Sequence, residues 1–263
     1  MNPRQPPIEP APEDGRGVLY PAKLPHFTRY AAGEEYAHLV QWFWVPRWQL
    51  PDGESLRQEI LPFPAANLTI AHDGVLLTGP STRLIHRVLS GAGWALGLLL
   101  QPAGLSVLGA RPRDLVDAVV DWPDVVPNEV SAAMAAGDDG AAIELVSAWL
   151  GDLPAPPQRA LEANRLLRIT AESPAVTTLG ELAEALHASP RTVQRLAEDF
   201  LGLSPLQVIR RYRLQEAARH LREGTETIAG IAARLGYTDH AHLTGDFRRT
   251  FGYSPREYRA GSE

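Results

Sequence analysis

The sequence predicts an α+β, multidomain chain. Its N-terminal domain should be mainly antiparallel β, a cupin-like sandwich or barrel with some helices. Its C-terminal domain should be all-α, with two helix–turn–helix units joined by a long helix. Three observations carry this. From Leu19 to about Asp121, short apolar runs are bounded by Pro, Asn, Asp and Gly, the texture of strands and turns. From Arg159 onward apolar residues recur at helical spacing. Within that part, Leu179 to Gly202 and Ile228 to Gly252 each read as a short helix, a tight turn, a capping residue and a second helix.

Taken in order, residues 1–18 are a flexible leader with Pro3, Pro6, Pro7 and Pro10, and no apolar core for a signal peptide. Residues 19–153 form the N-terminal domain. Its strands are expected within Tyr36 to Trp48, Glu59 to Phe63, Leu68 to Ala71, Gly74 to Thr78 and Gly91 to Leu100. A helical pattern follows from about Val130 to Leu150, with Ile143, Val146, Trp149 and Leu150 as its apolar positions. Pro154-Ala-Pro-Pro opens a linker over 154–158, and residues 159–263 form the second domain. There the first unit covers about 178–202, the joining helix 205–223 and the second unit about 227–252. Ser204 caps the joining helix, Pro205 takes its first turn and Gly224 ends it. Its length of about 27 Å approaches the ~34 Å between successive major-groove faces of a duplex.

Composition narrows the chemistry. With 44% hydrophobic and 21% charged residues the chain is globular. It has no cysteine, which excludes disulfides, thiolate metal sites and thiol catalysis. No apolar run approaches the ~18 residues of a membrane span, so a soluble, cytoplasmic protein is expected, nucleoid-associated if it binds DNA. The net charge of −6 is unevenly placed. From Gln158 onward there are 15 Arg, no Lys and 13 acidic residues, a net of +2, so the first 157 residues carry −8. Phosphate binding would therefore depend on arginines clustered on one face.

The second helix of each unit is the candidate site. In the first, Ser189 caps and Pro190 begins the helix, Val193 and Leu196 face inward, and Arg191, Thr192, Gln194 and Arg195 point outward. Arg suits guanine, Gln suits adenine, and Thr can meet either or a thymine methyl. In the second, Asp239 caps and Leu243 and Phe247 face inward. His240, Ala241, His242, Thr244 and Gly245 then form the groove-facing set, with Arg248 and Arg249 placed for phosphates. His240 and His242 lie two apart and share no ligating face, so no metal site is expected there. Arg210, Arg211 and Arg213 on the joining helix read as solvated surface residues rather than DNA contacts, with at most one of them touching phosphate.

These residues resemble the AraC/XylS family of transcription regulators. The resemblance rests on Ser189-Pro-Arg-Thr-Val-Gln-Arg, Gly202-Leu-Ser-Pro205, Arg213-Leu-Gln-Glu-Ala-Ala218, Gly236-Tyr-Thr-Asp-His-Ala-His-Leu-Thr and Phe247 to Pro255. It covers roughly residues 160–260. It implies a DNA-binding transcription regulator, activator or repressor, with promoter DNA as partner and RNA polymerase as a second partner. Two departures stand out: Ala197 replaces a usual core aromatic, with Phe200 as a substitute, and Gly245 replaces a frequent Arg. Gly79-Pro-Ser-Thr and Gln101-Pro-Ala-Gly resemble an uncharacterised sensor-type domain found ahead of such units. That second resemblance implies no ligand. The AraC/XylS resemblance implies that this position holds a cupin-like effector-binding or dimerisation domain. The N-terminal domain would then bind an unidentified small-molecule effector, form a homodimer, or both.

The chain reads as a non-enzyme with no cofactor. Two alternatives stand beside this reading. One is a cupin-like metal enzyme using His72, Asp73 and His86, fused to a DNA-binding module. The other is a nonspecific nucleoid protein. For an effector, Trp42, Trp44 and Trp94 could line a pocket, although aromatic residues in strands more often simply fill a core.

Overall fold

The computed structural model describes residues 26–60, 63–122, 128–224 and 226–262. The expected leader, the start of the expected N-terminal domain and part of the Glu59–Phe63 run lie outside them.

Eight strands precede most of the helices: β1 (His26–Ala31), β2 (Val40–Gln49), β3 (Ser55–Ile60), β4 (Asn67–Ala71), β5 (Gly74–Thr78), β6 (Ile85–Ser90), β7 (Ala92–Leu100) and β8 (Val119–Asp121). They make a six-stranded sheet in the order β1-β2-β7-β4-β5-β8 and a two-stranded ribbon, β3-β6. All recorded pairings are antiparallel, as the run-and-turn texture implied. The sequence reading missed β1, β6, β8 and all but the last two residues of β3, strands that are short or mixed in polarity.

Side-chain alternation gives the main sheet two different faces. Phe43, Leu68, Ile70, Leu96 and Leu98 lie in one apolar core with residues of α2 (Asn128–Ala135) and α3 (Asp139–Gly151). The single helical pattern expected over 130–150 is thus two helices. Gly137, at φ +82°, breaks it, and the Asp138 carboxylate restarts it by accepting the Ala141 amide at 2.9 Å. An ion pair from Arg47 to Asp139 at 2.5 Å ties α3 back to β2.

The opposite face carries Trp42 and Trp44. Trp44 lies on Gly97 of β7. A Cβ built there would come within 1.9 Å of the indole ring, so this strand position admits only glycine. Trp44 Nε1 donates to Asn67 Oδ1 at 3.0 Å, and the ring of Trp42 meets Phe63 edge-on at 5.6 Å. Trp94 packs instead against the α2–α3 core. The three tryptophans suggested as one pocket lining therefore divide between the two faces, each with a packing partner.

Helix α1 (Pro102–Val107) leads off β7, and α4 (Gln158–Glu172) begins the helical part. Asn164 of α4 joins the two: its Oδ1 accepts the Ala103 amide at 2.9 Å and its Nδ2 donates to the His38 carbonyl at 2.7 Å. After α4 come α5 (Leu179–Leu186), α6 (Pro190–Leu201), α7 (Pro205–Glu223), α8 (Ile228–Arg234), α9 (His240–Phe251) and α10 (Pro255–Ser262). Helices α4 to α6 share a core with the first half of α7, through Leu166, Leu182, Val193, Leu196, Val208 and Tyr212. The second half of α7 shares another with α8 to α10, through Leu214, Leu221, Ile231, Leu243, Phe247 and Tyr258. Ala197, where an aromatic was expected, is fully buried in the first, and Phe200 packs between that core and the sheet core.

Candidate nucleic-acid interface

Local chemistry fixes both helix–turn–helix units. Helix α5 starts with a capping box: Thr178 Oγ1 accepts the Glu181 amide at 3.2 Å, and Glu181 Oε2 accepts the Thr178 amide at 2.9 Å. Hydrogen bonds from the Thr177 and Thr178 amides hold the Glu181 carboxyl below its usual range. His187 makes the turn in the left-handed region at φ +54°, and Ser189 Oγ accepts the Thr192 amide at 3.1 Å to start α6. In the second unit Thr227 Oγ1 accepts the Gly230 amide at 3.1 Å. Gly236 turns the chain at φ +69°, and Asp239 Oδ1 accepts the His242 amide at 2.7 Å. Each α6 and α9 thus starts from a defined cap with its first-turn amides directed outward.

The joining helix α7 has its own capping box, with Ser204 and Gln207, and ends at Gly224 with φ +73°. Its 19 residues span about 28 Å. Both ends agree with the sequence reading.

The ten residues singled out for contact fall as follows. Arg191, Thr192, Gln194 and Arg195 are all exposed on the N-terminal half of α6, while Val193 and Leu196 are buried. The Thr192 hydroxyl is shared with Ser189 Oγ at 2.8 Å. On α9, His240, Ala241 and His242 are exposed and Leu243 and Phe247 are buried. Thr244 is half-buried and donates to the His240 carbonyl at 2.7 Å, which leaves its hydroxyl as an acceptor. Arg248 lies 3.7 Å from Glu257, both exposed, a pair of little energetic weight. Arg249 is exposed but held by Asp246 at 2.8 Å. Gly245 is exposed, and a Cβ added there would meet no atom within 4 Å, so α9 has open space at this point.

Behind α9 lies a set of contacts that sequence reading missed. Asp246 is buried and takes ion pairs from Arg249 and from Arg210 of α7 at 3.3 Å, tying recognition helix to joining helix. The guanidinium of Arg213 stacks 4.0 Å over the Tyr237 ring, and Tyr237 meets His242 edge-on at 5.1 Å. Burial pushes the Tyr237 hydroxyl up to about 12. Arg211 is also buried, and burial pulls its guanidinium down to about 10. Arg211 and Arg213 are therefore structural contacts, whereas Arg210 stays exposed at the surface beside Asp246. A signal for Asp246 was available: it stands three residues from Leu243 and four from Thr250, on the inward stripe of α9, where a carboxylate requires a cationic partner.

Between the units runs a groove of about 1050 Å³ lined by Val176, Arg213, Glu216, Arg219, His220 and Arg234, among others. Several of its charges pair with one another: Arg219 pairs with Glu216 at 3.0 Å and with Glu223, and Arg234 with Glu226 at 3.1 Å, while Arg213 stacks on Tyr237. Among the described residues no three His, Asp or Glu side chains gather at metal-binding spacing, so His72, Asp73 and His86 do not form such a group. His86 instead accepts from Arg57 at 3.2 Å. Nor, among these residues, is any helix long and apolar enough to cross a membrane.

With this geometry established, known proteins divide the chain in two. Residues 182–261 match the model of a helix-turn-helix domain, and residues 28–121 that of a domain of unknown function (DUF6597). A Streptomyces lividans protein assigned as an AraC-like transcription regulator is 37% identical over 114 residues, covering 43% of this chain and 36% of that protein. The transcriptional activator RhaS of an Enterobacter strain is 38% identical over 82 residues, 31% of this chain and 30% of RhaS. The chain thus spans about a third of the length of these curated relatives. The solved structure of ToxT from Vibrio cholerae aligns over 83% of this chain and 98% of its own at 10% identity, with a TM-score of 0.46. Residues 182–261 thus match a helix-turn-helix domain that is similar to part of AraC-like regulators, and residues 28–121 match a domain of unknown function.

Proposed function

We propose that the chain is a sequence-specific transcription regulator that reads two adjacent major-groove segments of promoter DNA. The supporting observation is the pair of capped helices, α6 and α9, which start from matching caps and expose their N-terminal halves. Arg191, Gln194 and Arg195 contact base edges from α6, with Thr192 offering its hydroxyl or methyl. His240, Ala241, His242 and Thr244 line the second groove, and Arg248 and Arg249 reach phosphates. Residues 19–153 form the regulatory domain, 154–158 the linker and 159–263 the DNA-binding domain. The regulatory domain acts through a small-molecule effector or through dimerisation, and RNA polymerase is the partner that turns binding into a change of transcription. The relatives reported above are transcription regulators, and no catalytic role is assigned.

The test is competition binding at moderate salt. The full chain should prefer the DNA upstream of its own coding region over random duplex by about 10³-fold or more, the lower end for specific binders. Equal affinity for both, with a steep salt dependence, would make it a nonspecific nucleoid protein instead.

A further inference from the structure

The two helix–turn–helix units have separate cores, and α7 runs through both. A single helix shared by two cores leaves their relative orientation to whatever else touches both. The N-terminal domain does so at three places.

At the middle of α7, Arg211 is only 8% exposed and its guanidinium donates to the Thr82 carbonyl. The receiving loop is built for this. Asp117, in the left-handed region at φ +58°, accepts the Thr82 amide at 2.6 Å, the Thr82 hydroxyl and the Ser81 hydroxyl at 3.3 Å. Its negative charge also favours the guanidinium. In the first unit, Gly202 (φ +66°) lies against the Pro112 backbone, where an added Cβ would come within 2.8 Å, and Arg113 pairs with Asp199 at 3.4 Å. In the second, the Tyr253 hydroxyl donates to Glu59 at 2.6 Å, and Leu84 packs on the core of α8 to α10.

We propose that the N-terminal domain is a splint across the two units, with Arg211 as its central positioning residue. By gripping both units and the helix between them, it sets the angle and separation of α6 and α9 and so selects the spacing of the two half-sites. The spacing part rests on the DNA-binding reading above; the splint itself does not. Arg211 faces the N-terminal domain, not DNA, so its role is geometric.

The chain has no cysteine, which allows two labels to be placed at will. Spin labels at Glu198→Cys on α6 and Arg256→Cys on α10, both exposed positions, report the separation of the units by pulsed electron resonance. The full chain should give one narrow distance distribution. Arg211→Met combined with Tyr253→Phe should broaden it about twofold or more, and Arg211→Lys, which keeps a cation within reach of the Thr82 carbonyl, should restore most of the narrowness. In binding, the parent should lose about tenfold in affinity when the half-site spacing changes by ~2 bp, and the double variant less than about threefold, with equal affinity for a single half-site. Should the double variant fail to melt cooperatively, Tyr253→Phe and Asp117→Asn, each loosening one grip, take its place. A distribution as narrow in the folded variants as in the parent overturns the splint. A narrow parent distribution that broadens as described, in a protein with no preferred DNA, keeps the splint and overturns the regulator reading.

Discussion

Gly245 offers a test by addition. It is exposed in the middle of α9, and a Cβ there meets nothing within 4 Å, so a long side chain costs no repacking. Two effects of Gly245→Arg separate cleanly. Replacing glycine inside an exposed helix should stabilise by about 0.5–1 kcal/mol, through backbone entropy alone. Any DNA contact by the new guanidinium comes on top. A phosphate contact would steepen the slope of log affinity against log salt by about 0.9, uniformly over sequences. A base contact would add about 1–3 kcal/mol, roughly fivefold to 150-fold, on one sequence only. Gly245→Ala is the control, since it gains the helix term without reach. Thermal melts of both variants, with fluorescence anisotropy on a labelled duplex across a salt series, give the two effects separately. Raised melting temperatures in both variants, with the arginine variant matching alanine in affinity and salt slope, would refute the placement of this face of α9 in the groove.

Other expectations follow from the same geometry. Arg191→Ala or Arg195→Ala should each cost about 1–3 kcal/mol in binding and relax preference at one or two base positions, read by binding to single-base variants of the site. Arg249→Ala should weaken binding evenly across sequences, and because Arg249 pairs with buried Asp246 its melting temperature should be followed in parallel. Leu243→Ala, fully buried, should lose about 2–5 kcal/mol of stability through a cavity in the second unit, measured by denaturant titration. Tyr237 sets an alkaline limit. Its folded value of about 12 stands above the ordinary ~10, so its contribution is complete below pH ~10 and is lost as pH rises toward 12. That loss amounts to roughly 2–3 kcal/mol. Tyr237→Phe should keep the ring between Arg213 and His242 and flatten stability over that range; an unchanged alkaline slope would contradict the assignment.

Much of the helical part was legible because its signals are local. Ser189-Pro190, Ser204-Pro205, Asp239 and Gly224 name their own helix ends, and the inward stripes of α6 and α9 follow from spacing. Strands such as β4 and β5 were legible for a related reason, since turn residues bracket them. The rest depends on partners distant in sequence. Arg210, Arg211 and Arg213 sit in one short polar run, yet one pairs with Asp246, one is buried against Thr82 and one stacks on Tyr237. Nothing within that run distinguishes them. Trp42, Trp44 and Trp94 looked like one cluster, but strand pairing and alternation put Trp94 on the opposite face of the sheet. The fit of Trp44 on Gly97 required the β2–β7 register, which no local pattern supplies.

The central claim is that both recognition helices read DNA at once. Selection of genomic fragments by the full-length protein tests it most directly. The expected result is one bipartite motif with halves about 10 bp apart, one helical turn. A motif confined to a single half would leave α9 a backbone clamp, and recovery of fragments with no shared sequence would contradict the account.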